Sequence, residues 1–341
     1  MASVNREIRL KRRPAGLPSP ADFELAETPM PAAGPGQVLV RNIYMSVDPY
    51  MRGRMMEGDS YVAPFQIGEV LNGGAVGQVV TSNGNASFKA GDYVSNFAGW
   101  REWFVSSGGD LVKIDPNLAP IQAYLGTFGM PGLTAYAGLL RVGELKDGER
   151  VFVSAASGAV GAVVCQIAKN KGCYVVGSAG SDEKCGWLEK EARIDKAINY
   201  RKAGNLEAAV KEAFPQGIDV YFENVGGAHL DAALANMRQN GRIPVCGMIG
   251  QYNATSATPG PSNFIRVIPQ RLTIKGFIVS DYMDMTGKFL ADMAQWKAAG
   301  KMKWEETIKE GIENAPEAFI GLFKGENMGK MLVRLGPDKV V

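Results

Sequence analysis

The chain holds one histidine, His229, in 341 residues. That excludes a metal site built on several imidazoles and leaves a Ser-His-Asp triad only this one residue to draw on. No Gly-x-Ser-x-Gly turn accompanies it. His229 follows Gly226-Gly227 at an expected helix start, so a partly exposed structural role is expected for it. Cysteine is also scarce: Cys165, Cys173, Cys185 and Cys246 form no Cys-x-x-Cys pair and read as reduced thiols in or near a core. An excess of one charge is missing too, with 37 Lys and Arg against 35 Asp and Glu and a net charge of +2. Without an extended basic stripe, no nucleic-acid partner is expected. The short cluster Arg9, Lys11, Arg12 and Arg13 reads as solvated and precedes no apolar run of the signal-peptide kind. No apolar run approaches membrane-spanning length, so no membrane partner and a cytoplasmic location are expected.

What is present is enough apolar material, 46% of residues, for two globular domains with cores of their own. Up to about Pro120, short strand patterns at 37–44, 77–80 and 92–95 are separated by Gly, Pro and Asn, with little helical periodicity. From Tyr124 the pattern alternates between helix and strand. Strands are expected at 151–154, 173–178, 196–199, 218–223, 242–248 and 272–279, the signature of a doubly wound parallel sheet. A last strand at 330–335 is assigned back to the β-rich part. The expected fold class is α/β, with a β-rich domain beside a Rossmann-type domain.

The stretch 151–161, Val-Phe-Val-Ser-Ala-Ala-Ser-Gly-Ala-Val-Gly, organises the second part. It reads as a buried strand, a turn of small residues (Ala156, Gly158, Ala159, Val160, Gly161) and the start of an apolar helix reaching Lys171. Small residues admit a pyrophosphate close to the backbone, and the helix start offers N–H groups and positive dipole to it. Ala156 stands where the usual fingerprint has its first Gly. The next strand runs into Ser178-Ala-Gly-Ser181, without the Asp or Glu that would accept from a ribose 2′-hydroxyl. Ser181 is the expected N-cap of the following helix, Asp182 and Glu183 its first-turn acids, and Lys184 lies on the same turn. A hydroxyl and a lysine without a strand-end acid suit a 2′-phosphate, which indicates NADP; Lys184 as a solvated helix residue is the alternative.

Ligands bind outside the carboxyl ends of such a sheet. Three loops there could line a nicotinamide pocket: 223–227, 246–252, and Phe277, Ile278 and Val279 running into Ser280 and Asp281. Ordinary turn chemistry is the alternative for each.

Six motifs in one order, Asp48-Pro-Tyr-Met-Arg52, Gly126-Thr-Phe-Gly-Met-Pro-Gly-Leu-Thr-Ala-Tyr136, Gly158-Ala-Val-Gly161, Gly180-Ser-Asp-Glu-Lys184, Glu223-Asn-Val-Gly-Gly227 and Gly325-Glu-Asn-Met-Gly-Lys330, resemble the zinc-independent medium-chain reductases over nearly the whole chain. The resemblance is to the branch of leukotriene B4 12-hydroxydehydrogenase/prostaglandin reductase, plant alkenal double-bond reductases and bacterial curcumin reductase. It implies a GroES-like domain at 1–125 and 306–341, a Rossmann-type NADP-binding domain at 126–305, an active site in the cleft between them, and a homodimer. By matching positions it implies that Gly158, Ala159, Val160 and Gly161 hold the pyrophosphate, and that Lys184 and Tyr200, with Ser181, hold the 2′-phosphate. Asn224 and Asn327 would meet further cofactor atoms. Cys246, Gly247, Met248, Ile249, Gly250, Gln251, Tyr252, Phe277, Ile278 and Val279 would contact the nicotinamide half. Gly325 to Lys330 is one residue short of an ATP-binding phosphate loop, with Met331 at the metal-binding position, so the ATP reading is rejected. No zinc is expected, since neither a Cys near Ser46 nor a His-Glu pair near Gly68-Glu69 is present, and a metal-bound alkoxide is disfavoured.

The implied reaction is NADPH-dependent reduction of the C=C bond of an enone or enal, with hydride to the β-carbon. The enolate oxygen would be stabilised by Tyr252, alone or through the nicotinamide ribose hydroxyl. Tyr50, Tyr61 and Met283 are expected on the substrate side, with Phe65 and Met248 as further apolar candidates that could equally be core. The alternatives are an NADPH:quinone reductase and a non-catalytic nucleotide-binding member of the fold.

Overall fold

The computed structural model describes residues 4–58 and 60–340. In chain order the first part comprises β1 (Val4–Leu10), β2 (Phe23–Pro29), β3 (Val38–Ser46), a short helix α1 (Met51–Arg54), β4 (Ala75–Ser82), β5 (Tyr93–Asn96), β6 (Trp103–Ser106) and β7 (Val112–Lys113). The middle part holds α2 (Met130–Ala137), β8 (Arg150–Val153), α3 (Gly161–Asn170), β9 (Tyr174–Ala179), α4 (Asp182–Lys190), β10 (Lys196–Asn199), α5 (Leu206–Ala213), β11 (Ile218–Phe222), α6 (Gly227–Asn236), β12 (Met237–Val245), α7 (Val267–Gln270), β13 (Thr273–Gly276) and α8 (Thr286–Ala298). The chain closes with β14 (Glu306–Glu310), α9 (Ala315–Lys324) and β15 (Lys330–Arg334).

These elements form two compact units, Met1–Leu125 with Glu306–Val341, and Gly126–Glu305. In the first unit, β1 and β2 form an antiparallel pair, and a larger sheet runs β14-β15-β3-β4-β5-β7 with β6 also on β3. The C-terminal β15 lies antiparallel to β3, Leu332 opposite Ser46. A buried ion pair fastens that junction: Lys330 Nζ donates to the Val47 carbonyl at 2.9 Å, Asp48 Oδ1 at 3.1 Å and the Met331 carbonyl at 3.1 Å. Ser46 Oγ donates to the other oxygen of Asp48 at 2.5 Å. Lys330 is therefore a structural cation inside a sheet, in keeping with the rejected ATP reading. The core beside it is aromatic, with Trp100 stacked on Phe23 and edge-on to Phe319. Phe65 belongs to this core, beneath the Arg54 guanidinium at 3.9 Å.

The second unit is a six-stranded sheet in the order β10-β9-β8-β11-β12-β13, all neighbours parallel. Its central strands are buried runs such as Val151, Phe152 and Val153, which a sheet covered by helices on both faces requires. Strand order reverses between β8 and β11, so the crevice outside their carboxyl ends is the ligand position this topology provides.

Two expected strands differ from those observed. β12 begins at Met237, before the expected 242, because Met237 already pairs with Ile218 of β11, and the exposed Arg238, Gln239 and Asn240 fall in a register shift before Arg242 pairs with Val220, with Asn240 at φ +62°. The strand expected at 272–279 stops at Gly276, where Phe277 turns inward and a 3₁₀ segment, Val279–Met285, follows.

Candidate functional site

The turn after β8 is shaped by close backbone approaches. Ala155 takes a positive φ of 46°, and the Gly158 N–H donates to its carbonyl at 3.0 Å. A Cβ on Gly161 would stand 2.3 Å from that carbonyl oxygen and 2.8 Å from Ala156 Cα, so only glycine starts α3 here. The absent first glycine is compensated from β9: a Cβ on Gly177 would lie 2.6 Å from the methyl of Ala156. The small residue has moved across the contact. In the first turn of α3 the Ala162 N–H donates to the Gly158 carbonyl at 3.0 Å and the Val163 and Val164 N–H groups to that of Val160 at 3.1 and 3.0 Å, and the half-buried Gly158, Ala159 and Val160 leave the backbone ahead of the helix partly open.

At the end of β9, Ser181 caps α4 as expected, its Oγ accepting from the Lys184 N–H at 3.3 Å. Asp182 is engaged on the flank, accepting from Asn199 Nδ2 at 2.6 Å and Lys202 Nζ at 2.5 Å. Tyr200 comes over from the end of β10: a Cβ on Gly180 would meet its hydroxyl at 3.0 Å. Lys184 is held below the usual lysine range by burial and then by the charge of Arg201. Where an acid would read a 2′-hydroxyl there is a bare glycine, a hydroxyl and two cations, a donor set that fits a phosphate.

At the crevice itself, the carboxyl of Glu223 is fully buried after β11. Its Oε1 accepts from Ser154 Oγ (3.1 Å), the Tyr221 hydroxyl (2.8 Å) and the N–H groups of Val225 (2.6 Å) and Gly226 (2.9 Å). Burial raises this carboxyl above its ordinary value against those hydrogen bonds. Asn224 is tied to the neighbouring strand end, its N–H to Ser154 Oγ at 2.9 Å and its Nδ2 to the Ser154 carbonyl at 2.7 Å. The loop 246–252 is laced onto the same segment. Cys246 N–H donates to the Glu223 carbonyl, Ile249 N–H to that of Asn224 and Gly250 N–H to that of Val225, at 2.9, 3.1 and 3.0 Å. Burial pushes the Cys246 thiol up to about 12, so it is a neutral wall at physiological pH.

Tyr252 ends a 3₁₀ turn, Ile249–Gln251, and its ring folds back over its own loop. The hydroxyl oxygen accepts from the Met248 N–H at 3.3 Å, which leaves the phenolic proton to be donated elsewhere. Burial raises Tyr252 above the usual tyrosine value, so it stays protonated near neutrality. A Cβ on Gly247 would lie 2.9 Å from that hydroxyl.

The remaining expected residues are placed as follows. Gln251 lies within the 3₁₀ turn. Phe277 turns into the second unit, edge-on to Phe222 at 6.3 Å and closing over Gly138, while Ile278 and Val279 are half-buried. Met283 is exposed. In the first unit Tyr61 is exposed, and Asn327 Nδ2 donates to the Gly329 carbonyl at 2.7 Å. Tyr50 is half-buried at the start of α1, with burial and then Asp48 raising its phenol. His229 departs from expectation: only 6% exposed, it lies under Tyr200 with ring centres 5.0 Å apart and is pushed down to about 4 by burial. The Gly226-Gly227 turn aims α6 inward, φ +77° and +52°, and carries its third residue under cover. Sequence reasoning missed Ser154, Tyr221, the Glu223 carboxyl and Arg201.

Among the described residues no group of three or more His, Cys, Asp or Glu side chains is placed to hold a metal, and no helix is long and apolar enough to cross a membrane. A parallel sheet with a glycine-lined helix start at its switch point defines a dinucleotide-binding unit, and the chain carries a separate β-rich unit as well. The family model described as the N-terminal domain of oxidoreductase matches residues 6–114, and that described as zinc-binding dehydrogenase matches residues 159–295. The chain is 44% identical to the NADPH-dependent curcumin reductase of Escherichia coli (strain K12), covering 98% of each chain. It is 45% identical to the 2-alkenal reductase (NADP(+)-dependent) of Nicotiana tabacum, again over 98% of each. The crystal structure of CurA in complex with NADPH from Vibrio vulnificus superposes with a TM-score of 0.92 at 42% identity, covering 97% of this chain and 99% of that one. The chain belongs to the medium-chain dehydrogenase/reductase family, in the branch of the curcumin, alkenal and prostaglandin reductases.

Proposed function

We propose that this chain is an NADPH-dependent reductase of the C=C bond of α,β-unsaturated ketones and aldehydes. One observation carries the reading: within one unit, a strand end free of acid and lined by cations accompanies a protonated tyrosine folded over the switch-point loop. The chain is an NADP-dependent oxidoreductase, and NADPH when bound supplies the hydride for the β-carbon. Gly158 to Gly161 hold the pyrophosphate, and Ser181, Lys184 and Tyr200 the 2′-phosphate. Asn224, fixed by Ser154, and the loop 246–252 with 277–279 hold the nicotinamide half. Tyr252 donates its hydroxyl proton toward the substrate oxygen, which becomes negative as the β-carbon takes hydride, while the Met248 N–H polarises the phenol from behind. For the first unit the proposal is that Tyr50 and Tyr61 meet substrate and Asn327 meets cofactor; for the second, that Met283 meets substrate. The exposed edge strand β13, with Ile265 and Ile268 exposed near it, supports a second copy of the chain as partner.

The test is NADPH absorbance with an aryl enone, a simple alkenal and a quinone offered separately, followed by product identification. Loss of absorbance with the enone or alkenal and recovery of the saturated carbonyl compound is expected. Turnover of quinone alone would replace this reading with a quinone reductase, and NADPH binding without turnover of any would leave a non-catalytic protein.

A further inference from the structure

Two side-chain tips converge on Gly180. A Cβ there would lie 3.0 Å from the Tyr200 hydroxyl and 3.4 Å from Arg201 Nε, so the guanidinium stands beside the backbone at the carboxyl end of β9. The turn that brings it there is fixed, since the Arg201 N–H donates to Asn199 Oδ1 at 3.2 Å directly after β10. Its guanidinium is 6.0 Å from the Tyr200 ring, and that ring is held edge-on by buried His229. Arg201 also acts on Lys184, depressing its protonation after burial does. Two cations whose charges disfavour each other are stabilised together by an anion placed between them.

We propose that Arg201 is a specificity-determining residue that grips the cofactor 2′-phosphate opposite Lys184 and selects NADPH over NADH. The inference rests on the NADPH reading above and adds a residue to it. The planar fork of an arginine offers paired N–H donors to phosphate oxygens, whereas Lys184 supplies a point charge. Placed over a glycine, the fork has room for a phosphate at the strand end. NADH, which presents a hydroxyl there, gains little from it.

The test is calorimetric binding of 2′,5′-ADP and of 5′-AMP to the 341-residue chain, beside the ratio of kcat/KM for NADPH and NADH. Arg201→Ala is expected to weaken 2′,5′-ADP about 10- to 100-fold, the scale of hydrogen bonds to a charged group, and to leave 5′-AMP within about twofold. The NADPH:NADH ratio falls by a similar factor, and Arg201→Lys restores part of it. Unchanged 2′,5′-ADP affinity in Arg201→Ala, beside a loss in Lys184→Ala, overturns the inference and leaves the NADPH reading standing. Equal weakening of both nucleotides also overturns it, since that is the behaviour of a residue that merely shapes the fold. If the wild type itself does not prefer 2′,5′-ADP, both readings fall.

Discussion

Replacing Tyr252 by Phe removes one hydrogen-bond donor and little else. The ring stays packed in its half-buried place, and the Met248 N–H loses a 3.3 Å acceptor, costing stability about 1 kcal/mol. If the hydroxyl carries the developing enolate charge, its loss lowers kcat about 10²- to 10³-fold, or about 3–4 kcal/mol, the range for one oxyanion donor. A second substitution probes the same atom from the backbone side. In Gly247→Ala the new Cβ would stand 2.9 Å from the hydroxyl, closer than Cβ contacts occur, so the tip of the tyrosine has to shift. A misplaced donor is expected to lower kcat by a smaller factor of about 10. In Tyr252→Phe there is no hydroxyl left to displace, so adding Gly247→Ala does little more, and the double-mutant cycle is non-additive. The assay is kcat with saturating enone, with NADPH affinity measured by fluorescence so that a binding defect is seen separately. Full turnover by Tyr252→Phe with normal NADPH binding would refute the reasoning, as would two strictly additive effects.

Three further outcomes follow from the geometry. Gly161→Ala drives a methyl to 2.3 Å from the Ala155 carbonyl, so NADPH affinity falls at least about tenfold in a fluorescence titration; unchanged affinity would show that the turn adapts. Lys330→Met strands the buried Asp48 carboxylate and lowers unfolding free energy in urea by about 3–5 kcal/mol, while adding Asp48→Asn recovers part of it; equal single and double variants would contradict this. His229 has its folded pKa lowered from 6.5 to about 4, so its contribution is intact above pH 6.5 and is lost as pH falls toward 4. Between pH 7.5 and 5 the apoenzyme should lose about 2 kcal/mol more stability than His229→Leu, and parallel pH profiles for the two would show that His229 is not buried neutral.

The parts that could be read from the chain are those whose determinants are contiguous. β8, the small-residue turn and α3 follow one another directly between Arg150 and Asn170, and Ser181 caps α4 through an amide three positions on. The branch motifs likewise mark loops that are local in sequence. What could not be read depends on neighbours that only the fold supplies. Ser154 and Glu223 are 69 positions apart and meet because β8 and β11 are adjacent strands, so the buried carboxyl that organises the switch-point loops looks in sequence like an ordinary strand-end acid. Arg201 reads as a solvated charge until β10 is laid beside β9. Strands β1 (VNREIRL) and β14 (ETIKE) went unrecognised because Arg6, Glu7 and Arg9 in the one and Glu306, Lys309 and Glu310 in the other interrupt the apolar pattern, so its signal falls below that of a buried run. His229 was misjudged because two glycines ahead of it suggest a surface turn, whereas they aim the helix inward.

The most direct measurement is the fate of deuterium from NADPH labelled at its transferable position, followed by mass spectrometry and NMR of the product formed from an aryl enone. The saturated ketone carrying deuterium at the β-carbon is the predicted result. An allylic alcohol with deuterium at the carbonyl carbon, or recovery of the enone unlabelled, would contradict the assignment of this chain as a reductase of conjugated carbon–carbon double bonds.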